Sequence, residues 1–290
     1  MLPPNRTVPD VLDAAATALS RSGIATADVD AELLVGHVLR LGRGEVQAAR
    51  LTGRRMLTRD VELVENLVRR RATREPLQHI TGVAGFRRLE LRVGPGVFVP
   101  RPETEQVTQI AIDALLALPH SSPVAIDLGT GSGAIALSMA LEVPSARIYA
   151  VENSVDAFLW ASENARRVGA PNARLVFDDL GDALPELNGT ASVVISNPPY
   201  IPDAAAPLDP EVRFFDPAAA LYGGEDGLDV VRALSSTAAR LLHPGGTLVI
   251  EHGERQGEAI RAILAADGWR APATFPDFTM RDRATTAIRA

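Results

Sequence analysis

Apolar residues recur at helical spacing through the first part of the chain. Val8, Leu12, Ala15, Ala16 and Leu19 form one stripe, with Thr7 and Asp10 as the polar pair that opens it. Ala31, Leu34, Val35 and Val38 form a second stripe; Val61, Leu63, Val64, Leu67 and Val68 form a third, opened by Thr58. Stripes of this kind predict the core of a small helical bundle spanning residues 1–82, punctuated by Gly53 and Gly82. The period then changes. Residues 86–91 and 97–99 alternate around Gly94-Pro95-Gly96, which predicts a β-hairpin within a linking segment, residues 83–102. From Glu103 to the end, residues 103–290, helical stretches alternate with short β-branched runs at 124–128, 146–151, 174–177, 191–196 and 246–251. That alternation predicts an α/β domain built on a parallel sheet. No internal repeat is present.

Two of the strand ends carry chemistry. The run 191–196 is followed by Asn197-Pro198-Pro199-Tyr200, just outside the carboxyl end of a strand, where open α/β sheets place ligands. The Asn197 carboxamide oxygen and the Pro198 carbonyl are acceptors, and two consecutive prolines stiffen the backbone. Tyr200 offers a flat face. This set suits the capture of a planar, conjugated –NH2 group, whose nitrogen is a poor nucleophile until its hydrogens are held and its developing positive charge is met by oxygen dipoles. Asn-Pro also opens ordinary turns, so it is the position after a buried strand that gives the tetrapeptide its meaning. The 201–215 segment that follows, rich in Pro, Ala and Asp, reads either as a mobile loop that closes over the acceptor or as a plain surface loop.

The second strand end is the turn Gly129-Thr130-Gly131-Ser132-Gly133 after the strand 124–128, with a helix opening at Ala134. Glycines there let the backbone approach a ligand closely. Gly129, Gly131 and Ala134 also satisfy the dinucleotide pattern G-x-G-x-x-G/A, so this loop alone does not separate NAD from S-adenosylmethionine. The next strand ends in Glu152, placed to accept from both hydroxyls of a ribose. Asp178 and Asp179 follow the third strand, on the side where an adenine ring would lie, and a plain solvated pair reads equally well there.

Taken together, several stretches carry a resemblance: Arg74-Glu75-Pro76 with Gln78-His79-Ile80-Thr81-Gly82, Phe98-Val99-Pro100-Arg101-Pro102-Glu103-Thr104-Glu105, the loop 127–133, Asn197 to Tyr200, Arg213-Phe214 with Asp216-Pro217, 223–227, and Glu251-His252-Gly253 with Gln256. In this order they resemble the N5-glutamine methyltransferases that modify peptide chain release factors, within the class I S-adenosylmethionine-dependent methyltransferases. The resemblance implies a Rossmann-like, mostly parallel seven-stranded sheet with a small amino-terminal helical domain, and a last strand, 284–288, pairing antiparallel at the sheet edge. It implies that Asn197 and Pro198 hold the acceptor glutamine amide, flanked by Pro199 and Tyr200. Asp127, Gly129, Thr130, Gly131, Ser132, Gly133 and Glu152, together with Asn197, would line the cofactor. Asp179 and Leu180 take the adenine side, where Leu180 supplies an aliphatic contact in place of the tryptophan of some members. Phe98, Arg101 and Glu103 would lie near the acceptor entrance, with an Arg101–Glu103 ion pair fixing the domain junction as the alternative. The implied partner is a class I release factor, methylated on the glutamine of its Gly-Gly-Gln loop. The expected enzyme is cytoplasmic and monomeric.

Composition narrows the field. The chain has 290 residues, 46% of them hydrophobic, and no cysteine, so disulfides and thiolate metal sites are excluded. His37, His79, His120, His243 and His252 show no metal-ligand spacing, and no metal is expected. The first residues, Met1-Leu2-Pro3-Pro4-Asn5-Arg6, read as no signal peptide, and no apolar run approaches the roughly 20 residues a membrane span needs. Residues 1–102 carry 16 arginines against 11 acids, and the remainder 13 against 25. An acidic catalytic half disfavours duplex DNA, whereas a mildly basic amino-terminal half suits an acidic protein partner. Its densest run, Arg69-Arg70-Arg71 with Arg74, reads either as part of that surface or as the solvated end of a helix. Three other functions share parts of the pattern: a DNA amino-methyltransferase, a glutamine methyltransferase acting on a ribosomal protein, and a non-catalytic adenosine-cofactor-binding adaptor.

Overall fold

The computed structural model describes residues 6–119 and 122–290; the expectations for residues 1–5 and for His120 lie outside them. The chain divides into two compact units, Met1–Gly82 with Asp209–Phe215, and Val83–Leu208 with Asp216–Ala290. Among the described residues no helix is long and apolar enough to cross a membrane.

The first unit is helical: α1 (Val8–Arg21), α2 (Ala27–Leu39), α3 (Arg43–Leu51), α4 (Thr58–Ala72) and α5 (Leu77–Thr81). The three stripes read from the sequence form its core, where Leu19, Leu34, Val35 and Val64 are buried together, except that Leu63 of the third stripe faces solvent. Asp10 accepts from both the Thr7 amide and the Thr7 hydroxyl, closing the cap of α1. The short helix α3 is an addition to the sequence reading; it buries only Val46 and Ala49, too few positions to set a period.

The second unit opens with a hairpin, β1 (Val83–Phe86) and β2 (Leu89–Arg92). It continues with α6 (Pro102–Leu116), β3 (Val124–Leu128), α7 (Ala134–Glu142), β4 (Arg147–Glu152), α8 (Val155–Val168), β5 (Ala173–Phe177) and β6 (Ala191–Ser196). After the short helix α9 (Pro210–Phe215), which belongs to the first unit, come α10 (Asp229–Leu241), β7 (Leu242–Glu251), α11 (Gly257–Ala266), β8 (Arg270–Pro276) and β9 (Asp282–Ile288). The seven-stranded sheet has the order β5-β4-β3-β6-β7-β9-β8, parallel from β5 to β7 and antiparallel beyond. Its two faces are covered by separate apolar layers, one centred on Ile126, Val194 and Leu234, the other on Ala125, Ile195 and Met139. Fully buried parallel strands explain why β3 and β6 are apolar at nearly every position.

Three expectations need correction. The hairpin turns at Arg87-Arg88, with Phe86 opposite Leu89, not at Gly94-Pro95-Gly96. Arg87 takes a left-handed conformation and is held by Glu105, Gln109 and Glu142, so tertiary contacts set the turn. Gly94 and Gly96 are instead points of close approach to α8: a Cβ on Gly94 would lie 2.6 Å from the Trp160 ring, and one on Gly96 2.8 Å from the Asp156 Cβ. The last strand, β9, is antiparallel as expected but is not at the edge; β8 is. Pro272 and Pro276 hide β8 from a strand search, and an edge is where a strand tolerates proline. Finally, the 201–215 segment is not all loop, because α9 occupies its end. Glu211 of α9 accepts from Arg71 at 2.7 Å, and Arg71 also donates to Asp30 at 2.7 Å. Arg74 reaches Glu211 at 3.1 Å, and Arg70 pairs with Glu75. Arg71 and Arg74 are thus consumed inside the unit, while Arg69 and Arg70 stay exposed at the end of α4.

Candidate active site

Strand order places the chemistry. The direction in which successive strands are added reverses between β3 and β6, the switch point at which open α/β sheets leave a crevice. The glycine turn leaves β3, Glu152 ends neighbouring β4, and Asn197 leaves neighbouring β6, so three separate sequence features meet at adjacent strand ends, each about 5 Å from the next. The Asp178/Asp179 pair follows β5, one strand further out.

The glycine turn is built to leave space. Gly129 and Gly131 have φ of 75° and 58°, and a Cβ on either would meet no protein atom within 4 Å. The turn is fixed from behind. The Gly129 and Thr130 amides both donate to the Val151 carbonyl at 2.9 Å, and the Gly131 amide donates to Glu152 Oε2 at 2.8 Å. The other Glu152 oxygen accepts from the Ser154 amide at 2.9 Å. Thr130 donates its hydroxyl proton to Asp127 Oδ2 at 2.6 Å, and the Ala136 amide reaches the same oxygen. Asp127 Oδ1 is buried with no hydrogen-bond partner, and burial pushes this carboxyl up to about 7. Ser132 is buried and its carbonyl accepts from Asn164; Gly133 ends the turn as the N-cap of α7. Asp179 is exposed, accepting from Asn153 at 3.1 Å and from the Gly181 amide; Leu180 is half-buried against the apolar layer.

The tetrapeptide 197–200 is gripped by two segments whose role the sequence left unassigned. Ile201 and Tyr222 form a parallel bridge, and the Ile201 amide donates to the Leu221 carbonyl. Gly223 lies so close that a Cβ there would be 2.5 Å from the Pro199 oxygen. From the other side Gln256 donates to the Tyr200 carbonyl at 2.9 Å while its oxygen accepts from the Gly253 amide at 2.9 Å. Tyr200 is half-buried; burial first, then the nearby Glu251 charge, pushes its phenol up to about 12, so it stays protonated. The Asn197 side-chain amide donates to the buried Thr104 hydroxyl at 3.5 Å. That bond orients the Asn197 carboxamide oxygen away from Thr104.

Of the other expected residues, Arg101 caps α6, stacks over the Phe98 ring at 5.1 Å and pairs with Asp216 at 2.7 Å. Its ion-pair partner is Asp216, not Glu103, which is exposed. Among the described residues no cluster of His, Asp or Glu has the geometry to hold a metal ion.

This crevice, with a glycine turn and the Asn197–Tyr200 tetrapeptide on either side of the switch point, defines a class I methyltransferase fold. A crystal structure of a methyltransferase from Pyrococcus furiosus superposes with a TM-score of 0.51 at 21% identity, covering 70% of this chain and 89% of that one. Residues 10–82 match the PrmC N-terminal domain and residues 88–222 the methyltransferase small domain. A release factor glutamine methyltransferase of Streptomyces coelicolor is 46% identical over 94% of this chain and 94% of its own length. The chain belongs to the release factor glutamine methyltransferase family. A relative with another printed activity, a 4-amino-L-phenylalanine/4-methylamino-L-phenylalanine methyltransferase of Streptomyces pristinaespiralis, is 41% identical over 98% of this chain and 95% of its own.

Proposed function

We propose that this enzyme transfers a methyl group from S-adenosylmethionine to the side-chain amide nitrogen of the glutamine in the Gly-Gly-Gln motif of class I release factors. The observation that carries the reading is the clamped Asn197-Pro198-Pro199-Tyr200 tetrapeptide beside an open glycine turn. The residues fit the cofactor. Gly129 and Gly131 leave a cradle beside the backbone, Glu152 retains free lone pairs toward a ribose, and Asp127 keeps a buried oxygen without a partner. Thr130, Ser132 and Gly133 shape the same turn, and Asp179 with Leu180 bounds the adenine side. When bound, S-adenosylmethionine supplies an electrophilic methyl group on a sulfonium.

The rest is done by the protein. Asn197 Oδ1 and the Pro198 carbonyl accept the two amide hydrogens of the acceptor, and Tyr200 packs against its plane. Held this way, the nitrogen lone pair is aimed along one line, and the positive charge it gains lies between oxygen dipoles that need no reorganisation. Phe98 and Arg101 flank the entrance through their stacked pair, and Glu103 stands exposed beside them. Residues 1–82 form the partner-docking domain in this reading, 83–102 the linker and 103–290 the catalytic domain.

The same grip would serve an arylamine, as the Streptomyces pristinaespiralis relative indicates. Mass spectrometry of a purified class I release factor, incubated with the enzyme and S-adenosylmethionine, separates the readings. One methyl on the Gly-Gly-Gln glutamine, absent with Asn197→Ala, is the expected result. Transfer to 4-amino-L-phenylalanine and none to the release factor would overturn the substrate assignment.

A further inference from the structure

Two prolines make the acceptor loop hard to hold. Pro198 and Pro199 have no N–H to give, and the Pro198 carbonyl is reserved for the acceptor amide. The backbone there is best pinned through its other carbonyls, and each needs a donor from elsewhere. Just beyond the tetrapeptide the donors are backbone: Ile201 donates to Leu221 at 2.8 Å, Gly223 to Ile201 at 2.9 Å and Asp203 to Gly224 at 3.0 Å. At Tyr200 the donor is a side chain. Gln256, the N-cap of α11, gives a proton of Nε2 to the Tyr200 carbonyl at 2.9 Å and reaches the Gly227 carbonyl at 3.5 Å. Its Oε1 accepts from the Gly253 amide at 2.9 Å.

The two ends of a carboxamide are almost the same shape, so something must set its direction. Here the backbone does. The Gly253 N–H can only donate, and the Tyr200 and Gly227 carbonyls can only accept, so Oε1 faces Gly253 and –NH2 faces Tyr200. Two glycines make room for the junction. A Cβ on Gly227 would collide with the Tyr200 oxygen and lie 3.0 Å from Gln256 Nε2; one on Gly253 would lie 3.0 Å from Gln256 Oε1 and 3.6 Å from the Tyr200 ring.

We infer that Gln256 is a positioning residue for methyl transfer: it fixes the Tyr200 carbonyl, and with it the Tyr200 ring and the Pro198 carbonyl that meet the acceptor. The cofactor turn is not involved. It leaves β3, whereas Gln256 follows β7, two strands further along the sheet. The inference rests on the reading of Asn197 to Tyr200 as the acceptor grip.

The test uses the full chain, S-adenosylmethionine and a purified class I release factor. Gln256→Met keeps the length and loses both hydrogen bonds. Gln256→Glu keeps the shape and the acceptor toward Gly253 but puts an oxygen where –NH2 stood. Ionised, that oxygen repels the Tyr200 and Gly227 carbonyls; protonated, it donates its O–H to Tyr200 as the amide did. Facing two carbonyls raises this carboxyl, so the change falls within a workable pH range. The charged groups around the junction are Glu251 and Arg283 near the Tyr200 phenol, the exposed Glu254 and Arg255, and Asp226 and Asp229 of the glycine loop. Parent and variant share them all, so the ratio of their rates at each pH isolates position 256.

Gln256→Met should lower kcat about 10- to 100-fold, with cofactor affinity by calorimetric titration within about twofold of the parent. The rate of Gln256→Glu relative to the parent should rise at least about tenfold between about pH 8 and pH 6, an acid rescue that a general loss of stability would not produce. Urea unfolding at each pH checks that both proteins are folded. A Gln256→Met enzyme turning over within twofold of the parent would overturn the inference. So would a flat ratio for Gln256→Glu, or a loss of cofactor affinity as severe as the loss of rate. Activity retained by Asn197→Ala would instead sink the underlying reading of the site.

Discussion

Gly223→Ala isolates the acceptor grip from everything else in the molecule. Gly223 lies outside the left-handed region, so alanine is compatible with its backbone, and the perturbation is purely steric. The new Cβ would stand 2.5 Å from the Pro199 oxygen and 2.8 Å from the Gly227 oxygen. Ordinary contact begins near 3.4 Å, so the methyl must open the gap by roughly 0.5–1 Å, and both neighbours are backbone with no rotamer to yield. Overpacking of this kind costs about 1–3 kcal/mol of stability. The functional cost should be larger, because a displacement of about 1 Å at a reacting group lowers rate on the order of 100-fold. The glycine turn 129–133 hangs from other strands, so cofactor affinity should be kept. The assay is single-turnover methylation of a release factor, with calorimetric titration of S-adenosylmethionine and urea unfolding as controls. Gly85→Ala, where the Cβ would meet nothing within 4 Å, is the neutral reference. A Gly223→Ala enzyme with parental rate, or one that loses cofactor binding as severely as rate, would refute the reasoning.

Further outcomes follow from the same structure. Gly131→Ala places a side chain in the cradle at φ 58°; the strain costs about 1–2 kcal/mol, while cofactor affinity measured by titration should fall at least tenfold. Arg71→Ala strands the buried carboxylate of Asp30 and leaves the half-buried Glu211 to Arg74 alone, and urea unfolding should show a loss of about 3–5 kcal/mol; a loss below about 1 kcal/mol would mean that the buried pairing contributes little. Glu251, held at about 7 when folded against about 4.3 unfolded, favours the native state while protonated. Its contribution is present below about pH 4 and is lost as pH rises through 7. Relative to Glu251→Gln, the parent should therefore lose roughly 2 kcal/mol between pH 5 and pH 7, and parallel pH profiles of the two would contradict the shift.

Much of this protein is legible in its residue order, because its signals are local. The helical stripes are periodic, so Val8 to Leu19 and Val61 to Val68 declare a buried face without reference to any other segment. The buried strands β3 and β6 declare themselves by largely apolar runs, and each of the two turns at the switch point is a contiguous motif. The sequence also assigned the type of chemistry, since an acceptor-rich, proline-stiffened tetrapeptide after a strand has few uses. What it did not contain is pairing at long range. The hairpin turn moved to Arg87 because Glu105 and Glu142 hold that arginine; β8 took the edge although its prolines conceal it; and α9, only six residues long, joined the helical unit through Arg71. Above all, the assembly of the site was decided by strand order. Val193 beside Ala125, and Val194 beside Leu248, are register choices between residues far apart in the chain. Their energy comes from burying two faces of one sheet at once, which no single segment encodes. Only that tertiary choice sets Asn197 within reach of Thr104.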